Sequence, residues 1–223
     1  DRSGNRGECA QSCRMRYRLL DGEGRAVPTQ GRYLLSPKDI AVLEDIGALL
    51  DAGVSCFKIE GRMKSPEYVY QVTKIYAGLL RDARESRPLK AQPEDIEDLK
   101  KLFNRGFTKG HLLDEKGDAL MSIRRPNHAG VPLGRVLSVD RFGIRVELTA
   151  PLKQGDGIKF EGSDDGFYCN RILKNGLLIG NAQPGDVVTL EGSANTRAGD
   201  SVVKTSDAEL IARLSDMPER KVP

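Results

Sequence analysis

The sequence predicts an α/β segment followed by a small all-β antiparallel barrel. Two early stretches repeat a strand, turn and helix pattern, with apolar residues at i, i+3 and i+4 in each helix. From about Leu120 the texture changes to short β-branched runs divided by glycine, the pattern of small antiparallel barrels.

Residues 1–32 read as irregular, with strand character over Arg14–Leu20 and a turn at Asp21-Gly22-Glu23-Gly24, so a hairpin is expected. Tyr33-Leu34-Leu35 reads as a strand. Ser36-Pro37-Lys38-Asp39 then opens a helix at capping-box spacing, and Ile40, Leu43, Ile46, Leu49 and Leu50 supply its apolar face. The second unit starts with the strand at Phe57-Lys58-Ile59-Glu60. Ser65 suits a cap, Pro66 the first helical position and Glu67 the positive helix end, and Val69, Val72, Tyr76, Leu79 and Leu80 form the apolar face. Consecutive βα units imply a parallel sheet, and two units neither close a barrel nor cover a sheet. Residues 86–92, with Pro88, read as a linker. Pro93 opens a helix to about Asn104, Arg105-Gly106 stops it, and Phe107–His111 reads as a loop.

Candidate strands of the second part are Val136–Val139, Gly143–Leu148, Gly157–Phe160, Leu177–Ile179, Val187–Leu190 and Ser201–Lys204. Gly155-Asp156, Gly185-Asp186 and Gly199-Asp200 each precede one of them and read as turns, not metal sites. A final helix is expected over Asp207–Leu214, capped by Ser206. The predicted division is 1–88 for the α/β part, 89–115 for a helical linker, 116–206 for the barrel, and 207–223 for a terminal helix and linker.

The chain has 223 residues, a formal charge of +3, 30% charged residues and no tryptophan. That balance gives no argument for nucleic acid from net charge. Its distribution is more suggestive: Arg14, Arg16 and Arg18 alternate with Met15 and Tyr17, and Lys100, Lys101, Arg105 and Lys109 fall in a stretch without an acid. A solvated face is the ordinary meaning of each run. No signal peptide and no apolar run of membrane-spanning length is visible, so no membrane partner is expected. The start at Asp1 reads as that of an excised or processed segment. Four scattered cysteines do not make a secreted disulfide scaffold, which favours a reducing, cytoplasmic setting.

Glu60, Arg62 and Lys64 are the candidate catalytic residues. They fall where a strand exits towards a capped helix, the place where α/β proteins gather ligands. Glu60 suits acid–base work or a substrate cation, and Arg62 and Lys64 suit a carboxylate or phosphate. An ion-paired strand exit fits the same residues. Cys9 and Cys13 form a lone C-x3-C, half of the roughly four ligands that a zinc or iron–sulfur site needs. Cys56 reads as core and Cys169 belongs to the second part. No H-E-x-x-H or G-x-S-x-G motif is present, and the two histidines, His111 and His128, sit in different regions.

The run Arg2-Ser3-Gly4-Asn5-Arg6-Gly7-Glu8-Cys9-Ala10-Gln11-Ser12-Cys13-Arg14 resembles the signature region of the peptidase U32 family, the collagenase-like proteases. Tyr33–Asp39 and Phe57–Tyr68 resemble two later blocks in the same order and spacing. The resemblance covers residues 1–115, and Arg124-Arg125-Pro126-Asn127-His128 through about residue 205 resembles the β-barrel that follows in longer members. Asp1 stands where a glycine is usual, and Ser12 where a proline is usual.

The resemblance implies the carboxyl-terminal part of a TIM-like (β/α) barrel, with further domains on both sides in the intact protein. It implies a peptidase acting on a peptide or protein substrate. Some relatives bind a four-iron cluster through four cysteines, and others support hydroxylation of tRNA or rRNA bases. Cys9 and Cys13 match cluster ligands in such relatives, whose other ligands lie upstream. The resemblance therefore implies no complete cofactor site in this segment, and a 4Fe-4S cluster in the intact protein. The readings are a U32 peptidase segment, inactive alone; a part of an iron–sulfur-dependent tRNA or rRNA hydroxylation factor; or a barrel module that binds RNA or protein.

Overall fold

The computed structural model describes residues 8–60, 64–161, 163 and 165–216, which form two compact units. One runs to Val42 and resumes over Asn104–Ala129. The other takes Leu43–Phe103 and resumes at Gly130.

In the first unit the expected hairpin turn is present, but Arg14–Leu20 is not a strand: Arg14 ends a short helical turn and Leu20 forms one isolated bridge. Asp21 closes its turn by accepting the Glu23 and Arg25 N–H groups at 3.0 and 2.8 Å, and Leu20 bridges Ala26. The Tyr17 N–H reaches the Arg32 carbonyl at 2.7 Å. Strands β1 (Asp39–Ile40) and β2 (Phe107–Thr108) pair in parallel, Asp39 opposite Phe107.

Two further readings of this region are corrected. Tyr33–Leu35 is a turn, closed by the Ser36 N–H on the Tyr33 carbonyl at 2.9 Å, not a strand. Ser36 does not cap a helix. It is fully buried, and its hydroxyl accepts from the Arg14 guanidinium at 2.6 Å, which takes the oxygen that a helix start would have used. Helix α1 begins only at Ile46 (Ile46–Asp51), and Ile40 is exposed in β1.

The second unit also holds α2 (Pro66–Arg84) and α3 (Pro93–Leu102). Ser65 caps α2 as expected, accepting the Tyr68 N–H, and Val72, Ile75 and Leu79 are buried at helical spacing. The acids Glu94 and Asp95 in the first turn of α3, and Lys100 and Lys101 in its last, both complement the helix dipole. The stretch 57–60 before α2 is assigned to no strand: it is mostly exposed, with no ladder neighbour among the described residues. The βα reading at this point is thereby corrected.

The sheet is built from β3 (Val131–Asp140), β4 (Gly143–Leu148), β6 (Gly157–Phe160), β7 (Gly166–Tyr168), β8 (Ile172–Lys174), β9 (Leu177–Ile179), β11 (Val187–Leu190) and β12 (Ser201–Ser206). Its eight antiparallel strands run in the order β7-β6-β12-β3-β4-β11-β8-β9, and β5 (Leu152–Lys153) pairs separately with β10 (Asn181–Ala182). Alternation sets the faces. Ile144, Val146 and Leu148 of β4 point into the core with Leu133, Val136, Ile158, Phe160 and Leu190, while Arg145 and Glu147 point out. Gly134 lies against the Glu147 carbonyl, where a Cβ has no room.

The three Gly-Asp pairs share one device. Each aspartate N–H bonds the carbonyl three residues earlier, at Lys153, Gln183 and Arg197, and each carboxylate accepts the N–H of that same residue at 2.9–3.0 Å. The glycine between them takes positive φ in all three turns. Asp156 does more. It is fully buried, accepts the Ala208 N–H at 2.9 Å and pairs with Lys204 Nζ at 2.7 Å. Lys204 also reaches Asp207 at 3.3 Å, and Lys101 lies 3.7 Å from the same carboxylate. Asp207 caps α4 (Ala208–Ser215) by accepting the Leu210 N–H, which corrects Ser206 as the cap: Ser206 is still in β12, paired with Gly157.

Lys204→Met should strand the buried Asp156 carboxylate and cost about 3–5 kcal/mol in urea unfolding. Asp186, Asp200 and Asp207 are all held below the ordinary carboxylate value of 3.8. The Gln183 N–H and then Lys174 do this for Asp186, and the Arg197 N–H and then the Thr196 hydroxyl for Asp200. At Asp207 burial pushes upward, but the Leu210 N–H, Lys204 and Lys101 outweigh it. The folded state therefore binds fewer protons than the unfolded chain. This stabilisation is complete above the ordinary value and lost as pH falls through the lowered ones. The urea midpoint should drop below about pH 4, and less so in Asp186→Asn.

Candidate functional site

Cys9 and Cys13 lie on one exposed turn of the first unit. Gln11 sits between them in the left-handed region, at φ 54, and its N–H points at Cys9 Sγ at 3.3 Å. A short helical turn, Ser12–Arg14, follows, and the Arg14 N–H closes on the Gln11 carbonyl at 2.8 Å. Two side chains fix this turn from outside. Tyr17 Oη donates to the Ser12 carbonyl at 2.8 Å. Arg14 donates to Ser36 Oγ and to the Pro37 carbonyl, both at 2.6 Å.

A second arginine stands near the first. Arg105 forks onto Asp39: its N–H reaches Oδ2 at 2.8 Å, its Nε reaches Oδ1 at 3.0 Å, and Nη2 also bonds Oδ1. Burial holds the Arg14 guanidinium below its ordinary pKa, and the charge of Arg105 adds to this, while Cys13 and Asp39 pull the other way. Cys13, Arg14, Asp39 and Arg105 thus share one electrostatic neighbourhood. Sequence reasoning missed Ser36, Asp39 and Arg105 here. Their separations along the chain, such as 66 residues between Asp39 and Arg105, leave no local signal.

Of the other predicted residues, Glu60 is exposed and pairs with Lys58 at 2.9 Å. Lys64 is half-buried, with its ammonium over the Phe103 ring next to the start of α2. Arg62 lies outside the described residues. Cys56 is exposed, which corrects its reading as core: the stretch that carries it joins no strand. Cys169 is fully buried in the sheet, and burial, then the charge of Asp156, push its thiol up to about 12. His128 Nδ1 lies 3.0 Å from the Asn104 backbone N. Among the described residues neither exposed thiol of the turn bonds an imidazole, and no group of three or more His, Cys, Asp or Glu side chains is gathered to hold a metal. The turn therefore offers two sulfur ligands, half of what a four-coordinate centre needs.

The family model for peptidase family U32 matches residues 1–122, more than half of the 223-residue chain. The chain belongs to that family. It is 37% identical over 184 residues to the 23S rRNA 5-hydroxycytidine C2501 synthase of Escherichia coli, covering 78% of this chain and 28% of that protein. It is 39% identical over 120 residues to the collagenase of Porphyromonas gingivalis, covering 51% of this chain and 28% of that protein. It is 40% identical over 182 residues to tRNA hydroxylation protein P1 of Bacillus subtilis, covering 77% of this chain and 43% of that protein. The chain thus spans less than half the length of each of these relatives.

The thiols differ enough to be told apart chemically. In native buffer at pH 8, iodoacetamide should label Cys9, Cys13 and Cys56 and leave Cys169 untouched until urea unfolds the sheet. Peptide mass spectrometry reads each site.

Proposed function

We propose that this chain is the part of a U32-family RNA-hydroxylation protein that gives two thiolates to an iron–sulfur centre beside an RNA-binding surface. The observation that carries this reading is the turn itself. Cys9 and Cys13 are exposed together, an N–H points at a sulfur, and two Arg14 hydrogen bonds, one of them half-buried, hold the loop. Such a centre supplies electron transfer when bound. In this chain Cys9 and Cys13 would hold it, Arg14 would orient the turn, and two further ligands would come from outside the chain.

Support also comes from the relatives. The matches to the rRNA synthase and to the tRNA hydroxylation protein are 37% and 40% identical over 78% and 77% of the chain, while an uncharacterized protease of Methanocaldococcus jannaschii is 30% identical over 90% of it, so the RNA relatives lead it in identity and not in coverage. Family membership is common to the RNA and proteolytic readings, but no Cys–His pair among the described residues adds to the second. The same reading gives the intact protein a TIM-like barrel, closed by segments beyond this chain. It gives Arg62 and Lys64 a phosphate to meet, with Glu60 beside them. It sets the protein in the cytoplasm, where thiols stay reduced. No helix among the described residues is long and apolar enough to cross a membrane.

Anaerobic purification of the intact protein, followed by iron and sulfide analysis, tests this. Stoichiometric iron and sulfide are expected, with loss of both in Cys9→Ser and in Cys13→Ser and none in the 223-residue chain alone. An intact protein without iron that cleaves gelatin, and still does so in both serine variants, would sink the RNA reading in favour of proteolysis.

A further inference from the structure

The hairpin that follows the cysteine turn carries a groove of about 320 Å³, lined by three apolar side chains, Tyr17, Leu19 and Val27, and by three arginines, Arg16, Arg18 and Arg32. All six are exposed, although Tyr17, Leu19 and Val27 are the kind of residue that folding buries. No carboxylate lines the groove.

The charge of Arg18 and Arg32 is not cancelled by the acids of the hairpin turn. Asp21 and Glu23, the acids of the hairpin turn, are both engaged by Arg25, at 2.8 and 2.7 Å. Asp21 is further committed to two backbone N–H groups of its own turn. Arg16 packs over the Tyr33 ring and donates to its hydroxyl at 3.1 Å. Arg18 and Arg32 have no carboxylate partner among the described residues.

Exposed aromatic and aliphatic surface beside Arg18 and Arg32 is the chemistry of a single-stranded nucleic-acid groove. Bases stack on the ring while guanidinium groups follow the phosphates. A duplex hides its base faces and has no use for Tyr17. An acidic peptide would satisfy the arginines and leave the ring idle.

We propose that this groove binds a single-stranded stretch of RNA, with a base on Tyr17 and adjacent phosphates on Arg18 and Arg32. The proposal rests on the RNA reading above and assigns it a surface on this chain.

The test is fluorescence anisotropy of the 223-residue chain with labelled oligouridine over a range of KCl concentrations. Arg18→Ala and Arg32→Ala should each weaken binding and lower the salt slope by about 0.7, the value for one single-strand phosphate contact. Tyr17→Ala should weaken binding about tenfold with a smaller change of slope. Tyr17→Phe keeps the ring and should recover most of the binding that Tyr17→Ala loses. Arg25→Ala should also bind like the parent, since its guanidinium is spent on the turn. Thermal melts confirm that each variant folds.

If the parent binds oligouridine and none of these substitutions matters, the groove is not the site, while the RNA reading stands. If duplex RNA binds equally well, or if Tyr17→Ala is silent while the arginine variants are not, the stacking role falls. If the chain ignores oligouridine, or binds polyglutamate in its place with the same arginine dependence, the RNA groove is overturned. The iron and sulfide analysis then decides separately whether the RNA reading survives.

Discussion

The Lys204 ammonium and the two carboxylates around it fix the second unit. Asp156 is buried and reaches three elements at once: the Lys153 N–H in β5, the Ala208 N–H at the start of α4, and Lys204 in β12. Such a charge is costly in an apolar interior unless paired and fully hydrogen-bonded. Both conditions are met here, so the position of β12 against the neighbouring turn has little freedom. The pairing continues outward. Lys204 shares Asp207 with Lys101 of α3, and Asp98 of the same helix takes Arg213 of α4 and Gln71 of α2. The helices of this unit are therefore set by ion pairs as well as by Leu99, Leu210 and Leu214.

The first unit works with much less apolar burial. Among its described residues Val42 is the one buried hydrophobic side chain, while Ser36, Asn104 and Thr108 are buried polar ones. Its shape is held by directional bonds: Arg105 on Asp39, Arg14 on Ser36 and Pro37, Glu115 on Thr108 and on the Lys109 N–H. Hydrogen bonds of this kind contribute about 1 kcal/mol each, more when charged. They position a loop well and stabilise a fold modestly. A cysteine turn that must present two thiols in a defined direction suits such a frame.

This contrast explains what the sequence revealed. The strands Gly143–Leu148, Gly157–Phe160, Leu177–Ile179 and Val187–Leu190 are where alternation and glycine punctuation put them, because both signals are local. The two-residue strands β5 and β10 are too short to carry any period. Ser36-Pro37-Lys38-Asp39 has the local grammar of a helix start, yet Arg14, 22 residues away, claims the serine, and Arg105 claims the aspartate. Phe57–Glu60 has strand composition but no neighbour to pair with among the described residues. At the candidate site the two cysteines were legible as a pair. The arginines and the serine that hold their turn were not, because only folding brings them there.

Tyr17 joins the cysteine turn to the hairpin groove. Its hydroxyl holds the Ser12 carbonyl, inside the Cys9–Cys13 turn, and its own N–H holds the Arg32 carbonyl across the hairpin. Its ring also lines the groove. On the proposed reading, a base that ordered the ring would also order the Ser12 carbonyl, and a cluster that fixed the turn would hold the ring in place. Coupling of this sort is reciprocal in free energy: whatever the cysteine turn gains from a filled groove, the groove gains from a filled turn.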